Sequence, residues 1–289
     1  MLFTIFVSDD KITAFFSNTQ AQPEKITHLF AYVKKKQYLC RRFGDRRKET
    51  MTILCIETST QVCSAAICRD GVCVEQRISR EGGNHAKLLP VFIGELLQGA
   101  KNRGEQIEAV ALSEGPGSYT GLRIGTSTAK GLCYGLNVPL IPVPTLEVLC
   151  AAAREQLAND QLLTTNCQYV PMIDARRMEV YTMVKGDGLR GTGKGARAVV
   201  VENEESIIKG DGEFYYFGDG AAKCQSVLTR PNWHYIPDIV PEARYVGMLA
   251  EQSQICNLQS AICNQDLAYY EPYYLKEFIA APSHVKGLN

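Results

Sequence analysis

The chain has 289 residues, 45% of them hydrophobic, with 31 Lys+Arg against 31 Asp+Glu and a formal net charge of zero. That length suffices for one large or two small packed domains, and no apolar run approaches the roughly 18 residues of a membrane span. No membrane-spanning helix is expected, and the chain reads as soluble and cytoplasmic.

Residues 1–50 carry ten Lys/Arg against five Asp/Glu, a net of +5, so the remaining 239 carry −5. A slightly acidic body is not the footprint of a protein that grips nucleic acid alone. Leu2–Val7 is apolar but lacks a basic flank and is too short for a secretory core. The first fifty residues have no sustained periodicity and end in a basic stretch, Lys34–Lys48. They read as a disordered extension or as sequence upstream of a start at Met51. A nucleic-acid-binding arm is the competing reading.

An ordered pattern begins at Met51. Thr52–Ile56 reads as a strand. Val62–Cys68 and Val72–Ile78 flank Arg69-Asp70-Gly71, a strong hairpin signal. Asn84–Leu97 is amphipathic, with Leu88, Leu89, Phe92, Ile93, Leu96 and Leu97 on its apolar side. Cys55, Cys63, Cys68, Cys73 and Cys133 sit in apolar segments without any C-x-x-C pair, as buried free thiols in a reducing compartment do.

The most informative stretch runs from Leu112 to Gly125, Leu-Ser-Glu-Gly-Pro-Gly-Ser-Tyr-Thr-Gly-Leu-Arg-Ile-Gly. It follows an apolar segment, Ile107–Ser113, and opens a helical one, Thr120–Leu136. Gly115 and Gly117 permit positive φ and close backbone approach, Pro116 fixes φ between them, and Ser118 and Thr120 both fit an N-cap. Exposed amides at such a turn commonly cradle an anion. Along the helix Gly121, Gly125 and Ala129 share a face, extended by Gly131 and Gly135. A glycine costs a helix interior about 1 kcal/mol relative to alanine, so this face is expected to admit a close neighbour, in the same domain or in another subunit.

A strand at Val138–Val143 and a helix at Thr145–Leu157 complete a β-β-β-α-β-α-β-α order. A second unit begins near Tyr169. Tyr169–Ile173 is a strand ending in Asp174, and Glu179–Val184 follows the turn Ala175-Arg176-Arg177-Met178. Residues 186–195 form a glycine-rich loop. Ala198–Val201 and Phe214–Phe217 read as strands, with helix-like stretches at Glu204–Ile208 and Ala243–Ile255. Both units have a strand ending in a carboxylate, Glu57 or Asp174, followed by a second strand.

These motifs resemble a known family. They are Ile56-Glu57-Thr58-Ser59-Thr60, His85-Ala86-Lys87-Leu88-Leu89-Pro90, Gly115 to Gly125 followed by Ala129-Lys130-Gly131-Leu132, Ile173-Asp174-Ala175-Arg176-Arg177 with Glu179-Val180-Tyr181, and Pro272-Tyr273-Tyr274-Leu275-Lys276. In that order they resemble the bacterial TsaB (YeaZ) family, the dimerization subunit of the machinery that makes threonylcarbamoyladenosine in tRNA. The resemblance runs from Met51 to about Lys276. It implies an α/β actin/Hsp70/sugar-kinase-like (ASKHA) fold of two ribonuclease-H-like halves, each a mixed sheet flanked by helices, here 51–158 and 159–289.

The resemblance also implies a TsaD-type catalytic paralogue as partner, which acts on adenosine 37 of tRNA. A TsaE-type ATPase completes the assembly, tRNA is met only through the complex, and the chain itself is a non-catalytic subunit. The partner would pack on the first two helices, at His85, Leu88, Leu89, Phe92, Gly121, Arg123, Gly125, Thr128 and Ala129. The same face could support a weak homodimer. Two residues depart from the pattern: Glu57 where many relatives have Asp, and Lys276 where Arg is usual.

Chemistry-bearing residues are sparse. The four histidines, His28, His85, His234 and His284, form no pair at ligand spacing, so no metal site is expected; His85, near a helix start, reads as a cap or an interface residue. Glu57, Thr58, Ser59, Gly115, Gly117, Gly218 and Asp219 could be the remnant of a nucleotide site. No G-x-x-x-x-G-K-[ST] loop exists, and any ATP binding would be weak. An ATP-binding kinase or ATPase of this fold is the alternative function. Ser118 lies outside a G-x-S-x-G elbow. Arg123 opposes the helix dipole and should pair with a carboxylate, Glu114 or Glu95, or one across an interface.

Overall fold

The computed structural model describes residues 5–8, 11–14, 51–159, 167–186, 195–256, 262 and 264–276. The chain divides into two units, Met1–Glu49 and Thr50–Asn289. In the first, Ile5–Ser8 (β1) and Lys11–Ala14 (β2) pair antiparallel, with Val7 opposite Ile12. The sequence pattern missed this hairpin because two four-residue strands give too few periods to stand out. The basic stretch Lys34–Lys48 lies outside the described residues.

In the second unit Thr52–Glu57 (β3), Cys63–Arg69 (β4) and Val72–Ser79 (β5) form an antiparallel meander. Asp70 and Gly71 turn between β4 and β5 at φ +53° and +73°, the left-handed geometry that Asp-Gly favours in a two-residue hairpin. Next come the helix His85–Asn102 (α1), Ala109–Gly115 (β6), the helix Tyr119–Leu136 (α2), Leu140–Pro144 (β7) and the helix Thr145–Asn159 (α3). The sheet order is β5-β4-β3-β6-β7, with β6 parallel to β3 and β7 parallel to β6. All six residues of β3 are buried. A central strand covered on both faces reads as an unbroken apolar run.

The second half repeats the plan. Cys167–Asp174 (β8), Glu179–Thr182 (β9), the short Lys185–Gly186 (β10), Arg197–Val200 (β11), Glu213–Phe217 (β12) and Trp233–Tyr235 (β13) form a sheet of order β11-β9-β8-β12-β13, with β10 also on β8. Again an antiparallel meander is extended by two parallel strands. This shared order is the two-half ASKHA-like architecture. Trp233–Tyr235, three residues long, was too short to show a period. The stretch at Glu204 is only a 3-10 turn, Glu204–Ser206, capped by the Asn203 side chain. Most of the loop at 186–195 lies outside the described residues.

Two apolar layers flank the first sheet. On one face α1 and α2 bring Leu89, Ile93, Leu96, Ala129 and Cys133 onto Leu54, Ile56, Val110 and Leu112. On the other, α3 and the helix Ala243–Cys256 (α4) lie in a layer that runs on to Tyr169, Ile173 and Phe217 of the second sheet. A short helix, Asn264–Leu267 (α5), follows. Ile262 then bridges to Leu140, and the Tyr273 N–H donates to Glu114 O at 2.8 Å. Late sequence therefore returns to pack on the first half. Among the described residues no helix is long and apolar enough to cross a membrane.

Candidate functional site

The glycine turn closes on the chain itself. Gly115, at the end of β6, has φ +120°, and a Cβ there would lie 2.4 Å from Tyr273 O. Gly117 has no positive φ; its need is space, since a Cβ would fall 2.3 Å from Ser59 O. Ser118, not Thr120, caps α2, its hydroxyl accepting from Gly121 N at 3.3 Å. The Ser118 N–H donates to Ser59 O at 2.6 Å and the Gly115 N–H to Thr145 Oγ1 at 3.0 Å. These two amides, expected to be free for an anion, are taken by internal acceptors.

Glu57 lies at the floor of this turn, fully buried. Its Oε1 accepts from the backbone N–H of Ser59 at 2.6 Å and from the Ser59 hydroxyl at 2.5 Å. Burial pushes its carboxyl above the usual carboxylate range; the Ser113 and Ser59 hydroxyls and the Ser59 N–H oppose the shift, and the carboxylate of Asp219 adds to it. The structure thus brings Glu57 of one half within electrostatic reach of Asp219 of the other. Thr58 donates its hydroxyl to Gly121 O at 2.9 Å. The Gly218-Asp219-Gly220 segment is packed rather than open. A Cβ on Gly218 would meet Met172 O at 2.3 Å, and Asp219 Oδ1 accepts from Asp174 N at 3.0 Å. Of the seven residues expected to form a nucleotide-site remnant, Glu57, Thr58, Ser59, Gly115 and Gly117 line this turn and Asp219 lies within electrostatic reach of Glu57, while the contacts of the group are to other parts of the chain.

The glycine face of α2 points inward, which corrects its expected role as a docking surface. A Cβ on Gly121 would lie 2.1 Å from Thr58 O, and one on Gly125 would lie 2.3 Å from Thr58 Oγ1. Ala129 is fully buried beneath the same helix. The close neighbour that these residues admit is the Thr58 turn. Gly131 and Gly135 lie on the other side of α2, where a Cβ would meet nothing within 4 Å.

The expected interface residues of α1 also separate. His85 is buried, its Nε2 3.2 Å from Val62 O, and it ties the helix start to the residue before β4 rather than capping the helix. Leu89 is fully buried. Leu88 and Phe92 are half-buried and border the open side. On that side Val91 is 53% and Tyr134 80% exposed, with Gly94 and Gly131 unencumbered. Thr128 is half-buried, its hydroxyl donating to Ile124 O at 2.8 Å.

Arg123 does not meet the carboxylate expected for it. Among the described residues its guanidinium lies 5.4 Å from the Tyr119 ring centroid and 3.4 Å from the Tyr119 hydroxyl. Glu95 pairs with Arg77 at 2.7 Å, and burial raises the Glu114 carboxyl. Arg123 lies instead over the ring of Tyr119, four residues earlier on the same helix, in a cation–π contact that i,i+4 spacing allows. Tyr119 in turn stacks against Tyr274, ring centroids 5.1 Å apart. No group of three metal-ligating side chains gathers among the described residues. His234 pairs with Glu213 at 2.6 Å, and His28 and His284 lie outside the described residues.

Comparison with known proteins places this geometry. A family model described as tRNA N6-adenosine threonylcarbamoyltransferase, TsaD, matches residues 76–210. The tRNA threonylcarbamoyladenosine biosynthesis protein TsaB of Haemophilus influenzae is 33% identical over 46% of this chain and 53% of its own. The Bacillus subtilis protein of that name is 34% identical over 46% of this chain and 54% of its own. The chain therefore spans about half the length of these relatives. An uncharacterized protein of Mycobacterium tuberculosis H37Rv is 32% identical over 53% of this chain and 67% of its own. The solved structure of YeaZ from Pseudomonas aeruginosa superposes with a TM-score of 0.60 at 22% identity, covering 78% of this chain and all of that one; it speaks to the fold.

Proposed function

This chain belongs to the TsaB (YeaZ) family, and from that premise we propose that it is a non-catalytic scaffold subunit in the synthesis of N6-threonylcarbamoyladenosine at position 37 of tRNA. In this reading it binds and activates a TsaD-type catalytic paralogue in the cytoplasm. A TsaE-type ATPase completes the assembly, and tRNA is met through the complex.

One observation carries the reading. On α1 exposed Val91 stands beside half-buried Leu88 and Phe92 with Gly94 open, and on α2 exposed Tyr134 stands one turn from open Gly131. Apolar side chains beside gaps suit another helix pair packed closely against them. The inner glycines, Gly121 and Gly125, hold this surface in place rather than forming it.

The test is co-expression with the TsaD-type paralogue of the same genome. The wild-type pair is expected to co-elute at micromolar concentration. Gly131→Leu is expected to weaken that pairing at least tenfold while the isolated chain keeps or slightly raises its thermal midpoint, because a Cβ there meets nothing within 4 Å among the described residues and leucine favours the helix. Separate elution of the wild-type pair would refute the reading.

A further inference from the structure

The turn between β8 and β9 carries a feature the scaffold reading leaves unused. Arg176 and Arg177 both have positive φ, +72° and +50°. Glycine is the residue that adopts this backbone freely, and long side chains rarely do. The conformation is clamped on both legs. The Ala175 N–H donates to Glu179 O and the Glu179 N–H to Arg176 O, each at 3.1 Å. The Arg176 N–H donates to Asp174 Oδ1 at 3.2 Å.

The carboxylates beside the turn are already neutralised. Lys223 pairs with Asp174, and Lys276 with Glu179. Both arginines are exposed, and neither guanidinium has a hydrogen bond or ion pair among the described residues. Two cations are thus held at the tip of a fixed turn, in a backbone that glycine would occupy without strain. Strain kept in place by surrounding contacts points to a use for the strained residues.

Resting on the role in tRNA modification proposed above, we propose that the Arg176–Arg177 turn is a contact for the phosphate backbone of tRNA. Guanidinium is the side-chain group suited to two-pronged phosphate binding, and a pre-formed turn lowers the ordering cost of capture. Two adjacent exposed arginines present two cations to one strand. A small nucleotide would instead want its phosphates enclosed by free amides at a glycine turn, and the nearby amides of Gly115 and Ser118 are already engaged. The body from residue 51 onward carries a net −5, so this contact supplements grip provided by the rest of an assembly.

The test measures binding of an unmodified tRNA transcript to the full chain assembled with its TsaD-type paralogue, as salt is varied. Arg176→Gly/Arg177→Gly removes both charges and suits the backbone, so folding is preserved. It is expected to weaken binding about three- to tenfold and to flatten the slope of log K against log salt by between one and two. Arg176→Lys/Arg177→Lys should retain the parent slope. An unchanged slope in the glycine variant, or no tRNA binding by the parent assembly, overturns the proposal. So does loss of ATP binding in equilibrium dialysis with tRNA binding intact, which would make the turn a nucleotide site. If the parent chain fails to capture the paralogue, the scaffold reading falls separately, and the same titration on the chain alone decides this one: flattening supports it and an unchanged slope overturns it.

Discussion

Gly125 and Gly131 occupy one helix and meet opposite surroundings. A Cβ at Gly125 would lie 2.3 Å from Thr58 Oγ1, an atom anchored by its bond to Gly121 O. Gly125→Ala is therefore expected to lose about 1–3 kcal/mol as the turn is pushed away. Gly131 faces open space, so Gly131→Ala should gain about 0.5–1 kcal/mol from helix propensity. Urea midpoints at constant slope will read both signs. Glu57 offers a second residue-scale prediction. Its carboxyl is raised in the folded chain, so ionising it opposes folding at neutral pH, and that opposition vanishes below the ordinary carboxylate range. Glu57→Gln, which can still accept from Ser59, should thus be more stable than the parent at pH 7–8 and lose its advantage as the pH falls toward about 4. An advantage that grew on acidification would contradict the burial argument.

At the scale of elements, the long periodic segments were readable from sequence. Leu89, Ile93 and Leu96 recur at helical spacing and are the residues α1 buries. The same period placed Gly121, Gly125 and Ala129 on one face but could not name what fills it. A 3.6-residue repeat specifies direction around a helix axis, and the Thr58 turn lies 63 residues before Gly121. Distant pairings were hidden for the same reason: His85 on Val62, Lys276 on Glu179, and Gly247 against Cys68. A Cβ on Gly247 would fall 2.3 Å from Cys68 Sγ, so α4 lies tight on β4. Glu242 locks that docking, accepting from Gln76 at 3.1 Å, Arg80 at 3.2 Å and Arg244 at 2.9 Å. Glu242→Ala should destabilise by about 1–2 kcal/mol, less than for a wholly buried pair because both arginines can rehydrate. Thermal unfolding will measure it, and no change in midpoint would show that helix packing alone seats α4.

For the whole molecule, the two halves share one sheet order and one intervening apolar layer, so their likeness is a matter of topology that irregular spacing in the second half obscured. The segment from Tyr273 to Lys276 also joins them. Tyr273 is bonded to Glu114 on the first half, and Lys276, three residues on, grips Glu179 on the second. Folds of two facing lobes commonly work by hinging about a cleft. Here any such swing would first have to break the Tyr273–Glu114 bond and the Lys276–Glu179 pair, which tie the two sheets together.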